Sequence, residues 1–370
     1  MFHTLLGAET YRKATDLYFD RFDGKAVTID DWAKCMADAS GQDLEQFKLW
    51  YSQAGTPEIK ASGKYDEKTK TYNLTLEQNI PDTAGQIDKK PMHIPVAVGL
   101  VGPNGDDVIE TQILDLKKKK QSFKFENIGA KPVPSILRGF SAPVKLSTDL
   151  SENDLAFLMV HDSDGFNRWE AGQQFAMRSI NKMLADNTAD VPQEFIHAFS
   201  ALIDKAAEED SDKALMARSL SLPSISEISQ AQDVVNPTAI DNVRTAMQNA
   251  IRAAYLNKLV TIYNANADEG EFSISPEAMG KRALRNVILS ILTSIKAEGC
   301  SVFAKAQYDN ANNMTDRIAA FGALIDNPNA PCAEISQDFY DRYQDYQLVI
   351  DKWFGIQASA NHAGGAAMPF

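Results

Sequence analysis

Apolar residues in this 370-residue chain change their spacing twice, and those two changes restrict the fold more than any other feature. Up to Pro57 they recur every three or four positions, with Leu5, Leu6, Tyr11, Ala14, Leu17 and Tyr18 on one helical stripe. From Glu58 to Ser147 the period is two, the spacing that sends alternate side chains to opposite faces of a strand. After Ser147 the helical period returns and holds for the rest of the chain. A multidomain α+β fold follows: a short helical segment over 1–57, an antiparallel β-sandwich of Ig-like type over 58–147, and an all-α, solenoid-like domain over 148–370.

Local signals refine each part. In the first, Thr28 and Asp30 precede 32–36, and 40–43 precede 44–47, where short oxygen-bearing side chains can cap helix starts. Gly55 and Pro57 close the helical pattern. In the second, residues 71–77, 94–101, 108–114, 122–126 and 135–140 read as strands. Asn104-Gly105 sits where a hairpin needs positive φ. About six or seven short strands, with a turn signal roughly every ten residues, is sandwich spacing. In the third, helices are predicted over 168–184, 192–203 and, after Pro237, 239–265; Ser275-Pro276 opens another whose stripe is Leu284, Val287, Ile288 and Ile291. Repeated helices with tight connections predict a stack of helix pairs, although no strict sequence period marks it.

Composition excludes some functions. A net charge of −13 argues against nucleic acid, whose phosphates require clustered Lys and Arg. The one basic cluster, Lys117 to Lys120, stands between two strand-like runs and reads as a solvated hairpin or sheet edge. Cys35, Cys300 and Cys332 are widely spaced and odd in number, which predicts reduced structural thiols. The N-terminus has no basic segment followed by a long apolar one, and no stretch approaches the roughly 18 apolar residues that a membrane helix needs. A cytoplasmic location without membrane contact is expected.

The sequence offers few chemical sites. None of His3, His93, His161, His197 and His362 is followed by Glu, so no H-E-x-x-H helix can form. Glu194 and His197 share a helical face, but the second pair that a carboxylate-bridged metal site requires is missing. His161-Asp162-Ser163-Asp164-Gly165 starts like a calcium loop and lacks its closing glutamate; a helix-breaking turn is expected. Ser221, Ser224 and Ser226 lack a nucleophile elbow and a nearby histidine. Trp169, Tyr340, Tyr343, Tyr346, Trp353 and Phe354 could line a peptide tunnel, but their spacing favours core filling. No catalytic, cofactor-binding or metal residue is assigned, and substrate-binding residues are not identified.

Several segments carry a resemblance. Trp50-Tyr51-Ser52-Gln53-Ala54-Gly55-Thr56-Pro57, Phe140-Ser141-Ala142-Pro143-Val144, Arg168-Trp169-Glu170-Ala171, Leu220-Ser221-Leu222-Pro223-Ser224, Ile262-Tyr263-Asn264-Ala265-Asn266, Lys281-Arg282-Ala283-Leu284-Arg285-Asn286, Ala311-Asn312-Asn313-Met314-Thr315-Asp316 and Asp351-Lys352-Trp353-Phe354, taken in order and spacing, resemble the bacterial aminopeptidase N family of the alanyl aminopeptidase type. The resemblance implies a four-domain zinc exopeptidase that removes N-terminal residues, basic and apolar ones included, from peptides. It implies that 1–57 is the helical end of the catalytic domain and that the exopeptidase motif, the zinc helix, the third glutamate ligand and the catalytic tyrosine precede Met1. Peptides and the missing N-terminal and catalytic domains are the implied partners; zinc belongs to the full-length family and not to this chain. The helical domain reads as incomplete, because the sequence departs from the family after Ala358 into a small-residue tail over 361–366.

The alternative is a free-standing sandwich-plus-solenoid interaction module. Residues 1–57 discriminate: helices meant for an absent catalytic core would expose their apolar faces in an autonomous module.

Overall fold

Thr28 and Asp31 exchange bonds in a capping box that starts α3 (Ile29–Ser40), which follows α1 (Phe2–Leu6) and α2 (Ala8–Phe22) and precedes α4 (Leu49–Ser52). Residues 45–48 form a turn where the sequence reads as a helix start over 44–47. The computed structural model describes residues 1–268, 270–296 and 301–360, in two compact units, Met1–Ala171 and Gly172–Phe370. Cys300, His362 and the predicted tail over 361–366 lie outside the described residues.

The first unit holds seven strands in two sheets: β1 (Glu58–Asp66), β2 (Thr71–Asn79), β3 (Ile94–Val101), β4 (Gln112–Leu116), β5 (Lys120–Phe125), β6 (Val133–Ile136) and β7 (Lys145–Thr148), ordered β5-β2-β1-β7 and β4-β3-β6. Alternation does what the period promised. Ile59, Ala61, Tyr72, Leu74 and Leu76 of one sheet meet Ile94, Val96, Val98 and Leu100 of the other in a single core. Pairing is antiparallel, as expected, except between β1 and β7, which run parallel from the Glu58–Lys145 register onward.

Three strand readings shift. The Lys117–Lys120 run is not a hairpin: β4 pairs with β3, while β5 pairs with β2, so the lysines cross from one sheet to the other at an exposed edge. Strand β4 starts at Gln112 rather than 108: Asp107 keeps a single bridge to Val101, and between it and Gln112 the chain turns toward the Arg138 guanidinium, which holds Asp107 and Thr111 (Nη1–Asp107 Oδ2 2.8 Å, Nη1–Thr111 Oγ1 3.0 Å). The strand predicted over 135–140 ends at Ile136, where Leu137 turns to φ 66° and a 3-10 turn follows over Arg138–Phe140; a left-handed residue cannot continue a ladder.

Residues 1–57 are not the unpartnered helices expected of them. Phe2, Leu6, Ala14, Ala33, Met36, Leu44 and Phe47 form a core of their own, and Met1 and Trp50 touch both that core and the sandwich. The Trp50 indole N–H donates to the His93 carbonyl at 2.9 Å, and Gln46 Nε2 donates to the carbonyls of Pro91 and Lys117 at 2.9 and 2.7 Å. Leu6 and Phe47 are therefore buried within the unit, and the patch that was to separate the two functional readings shrinks to single exposed side chains such as Phe19 and Ile29.

α5 (Glu152–His161) follows the sandwich, and α6 (Gly165–Ala185), beginning before the predicted Arg168, contains the division between the units. The second unit continues with α7 (Gln193–Ala207), α8 (Lys213–Leu220), α9 (Ile225–Gln230), α10 (Pro237–Ala265), α11 (Pro276–Leu292), α12 (Ser301–Asn310), α13 (Met314–Ile325), α14 (Cys332–Tyr343) and α15 (Gln347–Ala358). The Ser275 hydroxyl accepts from Ala278 N and Pro276 takes the first helical position, as read from sequence. Leu284, Ile288 and Ile291 are buried on one stripe. Neighbours pack in succession, α7 on α8 and α10, α10 on α11, α11 on α13, α13 on α14 and α14 on α15, which is the stacking order of a solenoid. Helix α10 breaks its regular geometry at Tyr255 (φ −127°), whose hydroxyl donates to the Ile196 carbonyl at 2.8 Å.

Candidate functional site

The second unit holds a cleft of about 870 Å³ between the first turns of α10, the end of α11, α13 and the end of α15. Asn236 caps α10 and Pro237 starts it, which places Asp241, Arg244 and Gln248 at successive turns along the cleft. Arg244 Nε donates to the Pro223 carbonyl at 3.0 Å; burial draws its pKa down against the attraction of Asp241. From α11, the hydroxyls of Ser290 and Thr293 each donate to a carbonyl of their own helix at 2.8 Å, so the lone pairs remain for a ligand. Lys296 and Asp326 pair at the rim. The lining includes guanidinium, amide, hydroxyl and aliphatic groups but neither histidine nor cysteine. Such a set offers hydrogen-bond donors and acceptors beside apolar surface; it does not supply a nucleophile with its base.

Behind the cleft lies a polar network that draws on three of the segments quoted for the resemblance. Asn286 lines the cleft and donates to Asp316 Oδ1 at 2.9 Å while accepting from Gln307 at 2.7 Å. Gln307 also donates to the Asp316 carbonyl, and its own carbonyl accepts from the Tyr263 hydroxyl at 2.9 Å. Arg285 stands 4.8 Å over the Tyr263 ring and 3.5 Å from Asp316, whose side chain is 1% exposed. Asn313 caps α13 by accepting from Asp316 N. Polar groups this deep keep their place only when paired, so these residues lock α10, α11, α12 and α13 in register.

The first unit has a second polar centre at Arg138. Its Nη2 donates to Asp107 at 2.7 Å and to Asp162 at 2.9 Å, Nη1 to Asp107 and Thr111, and Nε to Ser135 at 2.9 Å. Asn167 Nδ2 donates to Ser135 Oγ at 2.7 Å. Arg138 holds the Asp107 carboxyl below its ordinary range, while burial pushes Asp162 up against the pull of its donors. A methyl group at Gly99 would lie 2.1 Å from the Arg138 guanidinium carbon. Sequence reading found Asp162 only as a false calcium ligand and missed the partner, because Arg138 lies 24 positions away.

The other tempting residues stay apart. Glu194 and His197 are exposed on α7 while Phe195, Ile196 and Phe199 are buried. Asp162 caps the end of α5 and Asp164 Oδ2 accepts from Gly139 N at 3.0 Å, so the loop is a turn. Ser221 donates to the Ala217 carbonyl, and Ser224 caps α9 with Glu227. Core filling fails for part of the aromatic set: Tyr346 is 64% exposed, and Phe354 and Tyr340 lie at the surface, because α15 turns Phe354 outward while Trp353 donates to the Ser336 carbonyl. None of the aromatic set lines the cleft. Cys35 is buried and Cys332 half-buried, both free thiols. Among the described residues, no three His, Cys, Asp or Glu side chains converge as metal ligands; the residues present do not fit zinc.

Comparison with known proteins places this architecture. A family described as a domain of unknown function with ARM repeats (DUF3458_C) matches residues 152–368, and one described as a domain of unknown function with an Ig-like fold (DUF3458) matches 55–149. The chain is 38% identical over 370 residues to aminopeptidase N of Escherichia coli strain K12, covering 97% of this chain and 42% of that protein. It is 36% identical over 359 residues to aminopeptidase N of Caulobacter vibrioides, covering 96% and 41%. The crystal structure of Legionella pneumophila aminopeptidase A in complex with aspartic acid superposes with a TM-score of 0.87 at 25% identity, over 98% of this chain and 43% of that one. The chain thus spans less than half the length of the relatives it matches. It belongs to the aminopeptidase N family, of which it carries the C-terminal, Ig-like and ARM-repeat portion.

Proposed function

We propose that this chain supports and encloses the catalytic site of a zinc aminopeptidase that removes N-terminal residues from peptides. The observation that carries this reading is identity at 33–38% with aminopeptidases N over 97% of the chain. It replaces the argument from residues 1–57, which the packing of that segment has removed. In this reading 1–57 is the helical end of the catalytic domain, 58–147 its sandwich support and 148–370 the helical cover, and the chain works with N-terminal and catalytic domains in the cytoplasm. The zinc and its ligands belong to the catalytic domain, and no step of hydrolysis is assigned to a residue here. The cleft supplies the donors and acceptors of a peptide-holding surface.

Complementation tests the reading. The chain is mixed with the N-terminal portion of the Escherichia coli relative, cut before the matching region, and release of nitroaniline from alanine p-nitroanilide is followed. Activity that requires both pieces is expected. Hydrolysis by the chain alone, or a stable complex of the two without activity, contradicts the reading.

A further inference from the structure

The cleft contains a cation that its surroundings leave half used. Lys296 is paired with Asp326. Arg244 is not so paired: Nε is fixed on the Pro223 carbonyl, and Asp241 acts on it only through space. Among the described residues, its two terminal nitrogens donate to no protein acceptor. A guanidinium has five N–H donors, and the Pro223 carbonyl takes the one on Nε, which leaves the four on the terminal nitrogens for a ligand. Anchoring Nε sets the plane of the group, so the outer edge is presented as a fixed two-pronged donor. Arg244 lines both the main cleft and a small side pocket of about 50 Å³ beside Leu220, Ile251 and Ile291.

The chemistry that fits is a carboxylate. It is planar, accepts two parallel N–H bonds from one guanidinium and needs no second cation, whereas a phosphate dianion in a chain of net charge −13 would find one arginine insufficient. The cleft is also too large for an amino acid alone, since pockets of 300–1,000 Å³ enclose much bigger ligands. Next to Arg244 stand Gln248, Ser290 and Thr293, with side-chain groups suited to peptide N–H and C=O, and Leu289 and Ile318 offer apolar surface. We propose that this cleft holds the C-terminal segment of a short peptide, with the peptide's α-carboxylate on the terminal nitrogens of Arg244 and its last side chain toward the Leu220–Ile251–Ile291 pocket. The inference takes its substrate class from the aminopeptidase reading, and it adds that the helical unit recognises the end of the peptide that N-terminal cleavage leaves intact.

The test uses the 370-residue chain and tetra-alanine in three forms: free acid, C-terminal amide, and N-acetylated free acid. Calorimetric titration is expected to show both acids binding and the amide binding roughly tenfold more weakly or worse, as the loss of charge-assisted hydrogen bonds dictates. Arg244→Gln is expected to bring the acid down to the level of the amide and to leave the amide unchanged. Equal binding of acid and amide overturns the proposal, as does no binding of any form at millimolar peptide. Displacement of the peptide by an equal concentration of acetate also overturns it, by reducing the site to a bare anion site. The acid–amide comparison is made on the unaltered chain, so a poorly folded variant does not blunt it. Failed complementation with intact acid–amide discrimination removes the aminopeptidase reading alone; the reverse pattern removes the Arg244 anchor alone.

Discussion

Arg138 Nη2 donates to Asp162 Oδ1 across 2.9 Å, with the two side chains 4% and 0% exposed. The contact ties the turn after β6 to the turn after α5, and with Asp107, Thr111 and Ser135 it satisfies the donors of the guanidinium. A buried charge pair is weak evidence of stability in itself, but breaking one leaves an uncompensated charge.

Arg138→Met is therefore expected to destabilise the first unit by about 3–5 kcal/mol, and Arg138→Met with Asp162→Leu to recover a substantial part of that loss. Urea unfolding followed by tryptophan fluorescence measures both. A single-variant cost below about 1 kcal/mol, the range of an exposed pair, contradicts the assignment.

Gly99 lies under the same guanidinium. Gly99→Ala is expected to cost about 1–3 kcal/mol through overpacking, since the new methyl would meet Arg138 Cζ at 2.1 Å. Gly129→Ala, with nothing within 4 Å of the added carbon, is the control and should stay within about 0.5 kcal/mol. Similar costs for both would remove the steric argument.

His93 gives a pH dependence. Its side chain is 1% exposed and its Nε2 donates to Asp115 Oδ1 at 2.8 Å; burial holds the imidazole below its ordinary 6.5 despite Asp115. The folded state thus binds a proton less readily than the unfolded chain. The contribution of this group to stability is complete above pH 6.5 and is lost as pH falls from there through the lowered folded value. Melting temperatures should decline on acidification below pH 6.5, and less so in His93→Gln. An identical decline in both proteins counts against the assignment.

Asp316 should behave as the keystone of the helical network. Asp316→Ala removes the acceptor of Asn286 and the counter-charge of Arg285, and is expected to cost about 2–4 kcal/mol, because buried groups left unpaired lose their full solvation. Asp309→Ala, which removes only an exposed ion pair with Lys305, should cost less than about 1 kcal/mol. Chemical denaturation of the two variants side by side decides it.

What the sequence alone determined are features whose causes lie within a few residues. Alternation through Tyr72, Leu74 and Leu76 made β2 a half-buried strand, Ser275-Pro276 started α11, and Thr28 started α3, because periodicity and capping act over one or two turns. Family membership was legible too, from the order and spacing of the quoted segments, four of whose residues, Tyr263, Arg285, Asn286 and Asp316, meet in one polar network. Tertiary structure decided the rest. Nothing near Lys117–Lys120 states that β4 and β5 belong to different sheets; nothing near Trp50 names the His93 carbonyl as its acceptor. The Arg138–Asp162 pair and the cleft around Arg244 join positions far apart in the chain, and that cleft takes its lining from α9, α10, α11, α13 and α15. Such sites arise from where packed helices leave space and which charges they leave unpaired, quantities set by the three-dimensional arrangement and absent from any local window of residues.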